Sequence, residues 1–187
     1  MKTEIDLKQL LKQGHIFDEI GLERAMILDR KLRLLVKENP AFKEDRKQLR
    51  GIIKEYENNH WSKESIISDE KIRESDIAEF IAEQERRFLE NRKNVIKEKI
   101  SEQGINQQDL GILLGHSKSY MSELMNGISP FNNRDLIIIH RLFRIKLENL
   151  IPTIIPQKDR AKIKASLLKI NKPNLKLAKV DLEKSFA

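Results

Sequence analysis

The polar side chains of greatest chemical interest lie in residues 107–127, QQDLGILLGHSKSYMSELMNG. Two glycines divide this stretch. Gly111 falls where two crossing helices would be held apart by a side chain larger than Cβ, and Gly115 falls where a tight turn needs positive φ. Met121 and Leu124 then give a second helix its buried face. The spacing predicts a helix-turn-helix, a unit that places its second helix in the major groove of DNA.

The other polar residues form no pattern typical of catalysis or metal binding. None of the four histidines has a partner at a metal-ligand spacing. The acid pairs lie on highly charged helical segments, where solvated carboxylates are common. The sequence contains neither a glycine-rich phosphate loop nor a Gly-x-Ser-x-Gly motif. We therefore expect a protein that is not an enzyme and that has no catalytic residues, no bound metal and no cofactor.

Charge is distributed unevenly along the 187 residues. Residues 1–90 hold 18 Lys and Arg against 20 Asp and Glu, whereas residues 91–187 hold 18 against 9. This asymmetry favours a polyanionic partner for the second half, although a well-solvated lysine-rich surface would give the same composition. The absence of cysteine, of a signal peptide and of a membrane-spanning apolar run indicates a cytoplasmic protein that does not bind membranes.

Apolar residues recur at helical spacing along nearly the whole chain, which predicts an all-α fold. Helices are expected over residues 17–38, 42–56 and 70–104. We divide the chain into an N-terminal helical domain (1–69), a connecting helix (70–91), a compact five-helix module (92–156) and a basic C-terminal tail (157–187). One short helix, over residues 160–170, is expected in the tail.

The module has capping residues where its helices should begin and end. Asn106 and Ser117 are good N-caps for the two helices of the predicted helix-turn-helix, and Asn126-Gly127 is a suitable end for the second. Asn132 or Asn133 should cap a fourth helix over residues 134–143. A short fifth helix is expected over residues 147–151, before Pro152.

These residues resemble the lambda-repressor/Cro-like family of helix-turn-helix domains, also called XRE. The family pattern, roughly T-Q-x-E-L-A-x-x-L-G-V-S-x-x-x-I-S-x-x-E-x-G, is matched here by N-Q-Q-D-L-G-I-L-L-G-H-S-K-S-Y-M-S-E-L-M-N-G. The resemblance covers about residues 92–152. His116, Met125 and His140 depart from the pattern and affect its packing details.

The resemblance implies a role for each polar position of the pattern. Base edges would be contacted by the start of the second helix and the residue one turn on, namely Lys118, Ser119, Tyr120 and Glu123. Phosphates would be contacted by the flanking polar residues, namely Gln107, Ser117, Ser122, Asn126 and Arg134. Because one such unit makes few base contacts, a homodimer that reads an inverted-repeat operator in double-stranded DNA is expected.

Residues 115–131 are also similar to the corresponding stretch of HigA-type antitoxins. That likeness implies a repressor that neutralises a small ribonuclease toxin and regulates its own operon. The carboxylates of Asp18, Glu19 and Glu23 would then face a basic toxin. Two alternatives stay open: a plain XRE-family regulator without a toxin partner, and a protein-interaction scaffold whose helix-turn-helix is vestigial.

Overall fold

The computed structural model describes residues 6–62, 67–152, 155, 157–170, 172 and 174–177, and these contain helices and no strand. The α-helices are α1 (Leu7–Gln13), α2 (Glu19–Leu35), α3 (Phe42–His60), α4 (Asp69–Glu102), α5 (Gln107–Leu114), α6 (Lys118–Asn126), α7 (Asn133–Phe143) and α8 (Gln157–Ile170). A 3₁₀ helix follows α7 at Leu147–Asn149. The predicted all-α class is confirmed. The chain forms two units, residues 1–150 and residues 151–187.

The first half of the larger unit is a bundle in which α2 packs against α3 and α4. Its core includes Leu28, Leu32 and Leu49, which are fully buried. The buried side chains of α4 that precede Leu89 are the small residues Ala78 and Ala82, which allow two helix backbones to approach closely. Apolar burial of this kind is the main stabilising contribution to a helical bundle.

The second half of the larger unit has its own core, formed by α4 to α7 together with Ile145 and Leu150, which lie before and after the 3₁₀ helix. Helix α4 belongs to both halves, because it supplies Ala78 and Ala82 to the bundle and Ile96 and Ile100 to this second core. Arg24 of α2 also binds Glu85 of α4 through two hydrogen bonds of 2.7 and 2.5 Å. The two cores are therefore joined by one continuous helix.

The predicted helix ends are confirmed around α5 and α6. Asn106 and Asp109 form a reciprocal capping box at the start of α5, and Ser117 caps α6. Gly115 ends α5 with φ of 79°, a left-handed conformation that glycine adopts without strain. Asn132, one of the two candidates, caps α7.

Two predictions about helix extent need correction. Periodicity did not predict α1, because seven residues are too few to establish a helical pattern. The expected fifth helix of the module is a single 3₁₀ turn of three residues, since the chain leaves helical geometry before Pro152.

The smaller unit contains α8, which begins three residues before the predicted helix and ends with it at Ile170. Arg160 Nε donates to the Ile155 carbonyl oxygen at 2.7 Å. Leu168 is 81% exposed. Within the residues that the structure describes, none of the helices combines the length and the apolar character that crossing a membrane requires.

Candidate nucleic-acid interface

Helices α5 and α6 cross closely at Gly111. A Cβ at this position would lie 3.2 Å from the His116 carbonyl oxygen and 3.6 Å from the Met121 side chain. The Gly111 carbonyl oxygen accepts from the His116 N–H at 2.8 Å, which closes the turn. The glycine was predicted to lie at this crossing, and it does. It allows the turn to place the first residues of α6 at the surface.

The first turn of α6 exposes polar side chains. Lys118 and Ser119 are exposed, and Tyr120 is half-buried, with its ring edge-to-face against His116 at 5.0 Å between centroids. His116 Nε2 lies 2.9 Å from Asp135 Oδ2 in the first turn of α7. The first turn of α7, which also carries the exposed Arg134, therefore lies close to the turn that precedes Lys118. Two cations and two helix N-termini flank this turn, an arrangement that suits phosphate.

Glu123 does not lie at this surface. It is only 9% exposed, accepts from Ser129 Oγ at 3.0 Å and pairs with Lys8 Nζ at 3.2 Å. In this conformation its carboxylate is not free to accept from a cytosine, in contrast to the role implied by the resemblance. The reason is tertiary: α1 packs beside α6, and the Leu7 N–H donates to the Ile128 carbonyl oxygen at 3.0 Å.

Ser122 and Asn126 lie farther along α6, and both are half-buried. Asn126 Nδ2 donates to the Ser122 carbonyl oxygen at 2.9 Å, and Asn126 Oδ1 accepts from Lys93 Nζ at 2.9 Å. The Asn126 carbonyl oxygen accepts from Lys31 Nζ at 3.0 Å. The Asn126 side chain thus ties the end of α6 to α4, and this intramolecular role differs from the predicted phosphate contact.

The remaining predicted residues lie near the start of their helices. Gln107 is the half-buried first residue of α5, and the Ser117 hydroxyl accepts from the Tyr120 N–H at 3.2 Å. Asn39, in the connection between α2 and α3, donates to Ser119 Oγ at 3.5 Å. The structure therefore groups Ser117, Lys118 and Ser119 with Arg134, and it places the N-terminal bundle directly beside them.

Sequence patterns did not reveal two lysines of α1. Lys8, Lys12 and Tyr120 line a cleft between α1 and the first turn of α6, together with Asp6, Gln9, Ser129 and Pro130. Lys8 Nζ lies 5.5 Å from the centroid of the Tyr120 ring. The lysines are four residues apart, so they lie on the same side of α1, and both are exposed whereas Leu7 is buried. That amphipathic spacing is the only local signal that could have drawn attention to them.

Two of the three acidic residues that were expected to face a toxin, Asp18 and Glu19, have structural roles. Glu19 is buried and accepts from the Tyr56 hydroxyl at 3.0 Å and from Trp61 Nε1 at 3.2 Å. Asp18 caps α2 by accepting from the Gly21 N–H at 2.8 Å. Burial and nearby Glu79 raise the pKa of half-buried Glu23. Of the three carboxylates, only Glu23 has no hydrogen-bonding role of this kind among the described contacts.

Lys31 gives a pH-dependent prediction. Burial lowers its pKa to about 8 from the ordinary 10.5, more strongly than Glu90 raises it. Between these values the unfolded chain keeps a proton that the folded chain has released, so folding stability gained from this group rises with pH.

We expect the unfolding free energy of wild type minus that of Lys31→Met to increase from pH 8 to pH 10.5. Urea titrations would measure it. Lys47→Met, at an exposed position of α3, is the matched control, and a flat profile for Lys31 would contradict the prediction.

No family model, curated protein or solved structure matches the chain. Among the described residues, no group of three or more His, Cys, Asp or Glu side chains could hold a metal ion. The candidate interface is therefore defined by the geometry of α5, α6 and α7 alone.

Proposed function

We propose that this protein is a DNA-binding transcriptional regulator in which α5 and α6 form a lambda-repressor-like helix-turn-helix. One observation carries the proposal: α5 and α6 each have a side-chain N-cap, are joined by a turn at Gly115, and expose Lys118 and Ser119 in the first turn of α6. Lys118 and Ser119 read base edges, since a lysine ammonium donates to guanine O6 and N7. Ser117, Gln107 and Arg134 contact phosphates around the same turn.

The arrangement limits how much one copy can read. With Glu123 held inside the protein, the proposed base-reading surface is short, consisting of the exposed Lys118 and Ser119 and the half-buried Tyr120. A second copy on the other half of an inverted repeat doubles these contacts, so the proposal includes a homodimer. We propose that the dimer represses transcription by occupying such an operator.

Selection from random duplex DNA tests the proposal. We expect wild type to enrich a two-fold-symmetric site and the Lys118→Ala/Ser119→Ala variant to lose that enrichment. Each base contact removed should weaken the free energy of binding to the site by about 1–3 kcal/mol. Both positions are exposed, so the variant should keep the wild-type circular dichroism and unfolding midpoint. Lys47→Ala, on an exposed part of α3, is the matched control and should enrich the same site. Enrichment of the same site by the double variant, or no enrichment by wild type, would refute the proposal.

A protein-interaction scaffold is a second candidate, and one observation favours it. The bundle and α4 occupy positions along α6 that would otherwise face DNA: Lys8 binds Glu123, Asn39 donates to Ser119, and Lys93 donates to Asn126. A helix used to hold the protein together would have no need to read bases. The same selection separates the two, since a scaffold enriches no site.

An antitoxin role is a narrower form of the first proposal. The contacts of the acidic residues give this role little support, because Glu19 and Asp18 make hydrogen bonds within the bundle. It rests on the sequence likeness of residues 115–131. Co-purification of the wild-type chain with a small basic ribonuclease encoded beside it would support this role, and failure to protect cells from that ribonuclease would exclude it.

A further inference from the structure

Helix α1 is anchored against the start and the end of α6. Leu7 is buried in the bundle core, and its N–H donates to the Ile128 carbonyl oxygen at 3.0 Å. Asp6 caps the helix, and Gly14 ends it with φ of 73°. A seven-residue helix is not stable by itself, so its position is set by these tertiary contacts. They fix its exposed lysine face beside Tyr120.

The two lysines on that face, Lys8 and Lys12, add to the exposed cations of the candidate interface. The Lys8 side chain is 70% exposed although its Nζ lies 3.2 Å from Glu123 Oε2. An ammonium group has three donors, so one carboxylate leaves Lys8 able to bind a second anion from the solvent side. Lys12 lies one helical turn farther along the same cleft and is exposed.

A continuous row of contacts joins these lysines to the cations already described. Lys8 lies over Tyr120, Tyr120 packs on His116, and His116 binds Asp135, the neighbour of Arg134. Lys118 begins α6 within this row. The exposed cations Lys12, Lys8, Lys118 and Arg134 therefore follow one path from α1 to α7, which is a suitable arrangement for the phosphates of a nucleic-acid backbone.

Glu123 acquires a different role in this arrangement. Its buried carboxylate accepts a hydrogen bond from the Ser129 hydroxyl and pairs with the Lys8 ammonium, so it fixes Lys8 relative to α6. A buried carboxylate in this position would have to leave both partners in order to reach a base. It is therefore a positioning residue.

We propose that α1 is part of the DNA-contacting surface: Lys8 and Lys12 bind phosphates that flank the bases read by α6, and Glu123 holds Lys8 in place. This inference rests on the proposed DNA-binding function. Such contacts add affinity for every sequence and do not change which bases are preferred.

The test measures the salt dependence of binding to the selected duplex for wild type, Lys8→Ala, Lys12→Ala and the Lys47→Ala control. The slope of log K against log salt is negative, and removing one lysine–phosphate interaction should reduce its magnitude by about 0.9. We expect that reduction, with weaker binding at low salt, for Lys8→Ala and Lys12→Ala and not for Lys47→Ala. Lys12 has no described contact with Glu123, so its variant tests the inference without disturbing that carboxylate. Circular dichroism should verify folding of each variant.

The outcomes separate this inference from the function on which it rests. If wild type binds selectively and Lys118→Ala weakens it, but Lys8→Ala and Lys12→Ala keep the wild-type slope, only the inference is overturned. Tighter binding by the two variants would also overturn it, because α1 would then cover α6 and hinder DNA. Absence of DNA binding by wild type removes both. Glu123→Gln provides an independent check: its selected site should be unchanged, whereas a new preference at one base pair would show that Glu123 reads DNA.

Discussion

Ile128→Ala is expected to lower the free energy of unfolding of the larger unit by about 3 kcal/mol. Ile128 lies next to Gly127, the C-cap of α6, yet it is 1% exposed and belongs to the core of the N-terminal bundle. Its carbonyl oxygen also accepts from Leu7. The truncation removes apolar surface from the place where the bundle meets α6 and leaves a cavity that helices fixed on α4 cannot fill.

Urea unfolding followed by two signals would measure this effect. The fluorescence of Trp61, the only tryptophan, reports on the bundle, and circular dichroism reports on all helices. At an m-value of about 2 kcal/mol/M, the midpoint should fall by about 1.5 M. The two signals should shift together, because α4 packs in both halves of the unit and Ile128 joins the segment after α6 to the core of the bundle. Ile112→Ala, at a position 71% exposed on α5, is the control and should change stability by less than about 0.5 kcal/mol. A fluorescence shift without a matching change in circular dichroism would contradict a shared cooperative unit.

Arg92→Ala is expected to cost about 3 kcal/mol, because it removes a large buried side chain and leaves a buried carbonyl without this donor. Arg92 is 2% exposed in the middle of α4. Its guanidinium donates to the Leu150 carbonyl oxygen at 3.2 Å and lies 5.2 Å from the centroid of the Phe131 ring. It thereby fixes the end of the 3₁₀ region and the loop before α7 against α4.

A second substitution at this position, to a side chain of similar volume, separates the contribution of Arg92 packing to stability from that of its hydrogen bond. Arg92→Met keeps much of the volume and should lose about half as much stability as Arg92→Ala, since the unsatisfied carbonyl remains. Arg87→Ala, on the exposed side of α4, should lose about 0.5 kcal/mol or less. Thermal or urea unfolding at neutral pH measures all three. If Arg92→Met were as stable as wild type, the hydrogen bond and the charge would make no net contribution to holding Leu150 and Phe131 against α4.

The local features of α5 and α6 could be predicted from the sequence because their causes are local. An asparagine or serine N-cap satisfies backbone N–H groups two or three residues away, and a glycine adopts positive φ wherever a turn needs it. Asn106, Gly115, Ser117 and Asn132 all act in this way. Helical periodicity likewise gave α2, α3 and α4 to within a few residues.

The partners of α6 could not be predicted, because they include residues about 30 to 115 positions away in the chain. Nothing local to Glu123 shows that Lys8 lies beside it, and nothing local to Ile128 shows that it completes the core of the bundle. A carboxylate on a short helix can face solvent or a neighbouring helix with the same sequence around it. By itself, the sequence therefore determined helices α2 to α7, the N-caps of α5 to α7 and the turn between α5 and α6. Only the tertiary structure decided which side chains of α6 reach the surface, since long-range packing chooses the buried face of a helix and the distant charges that it meets.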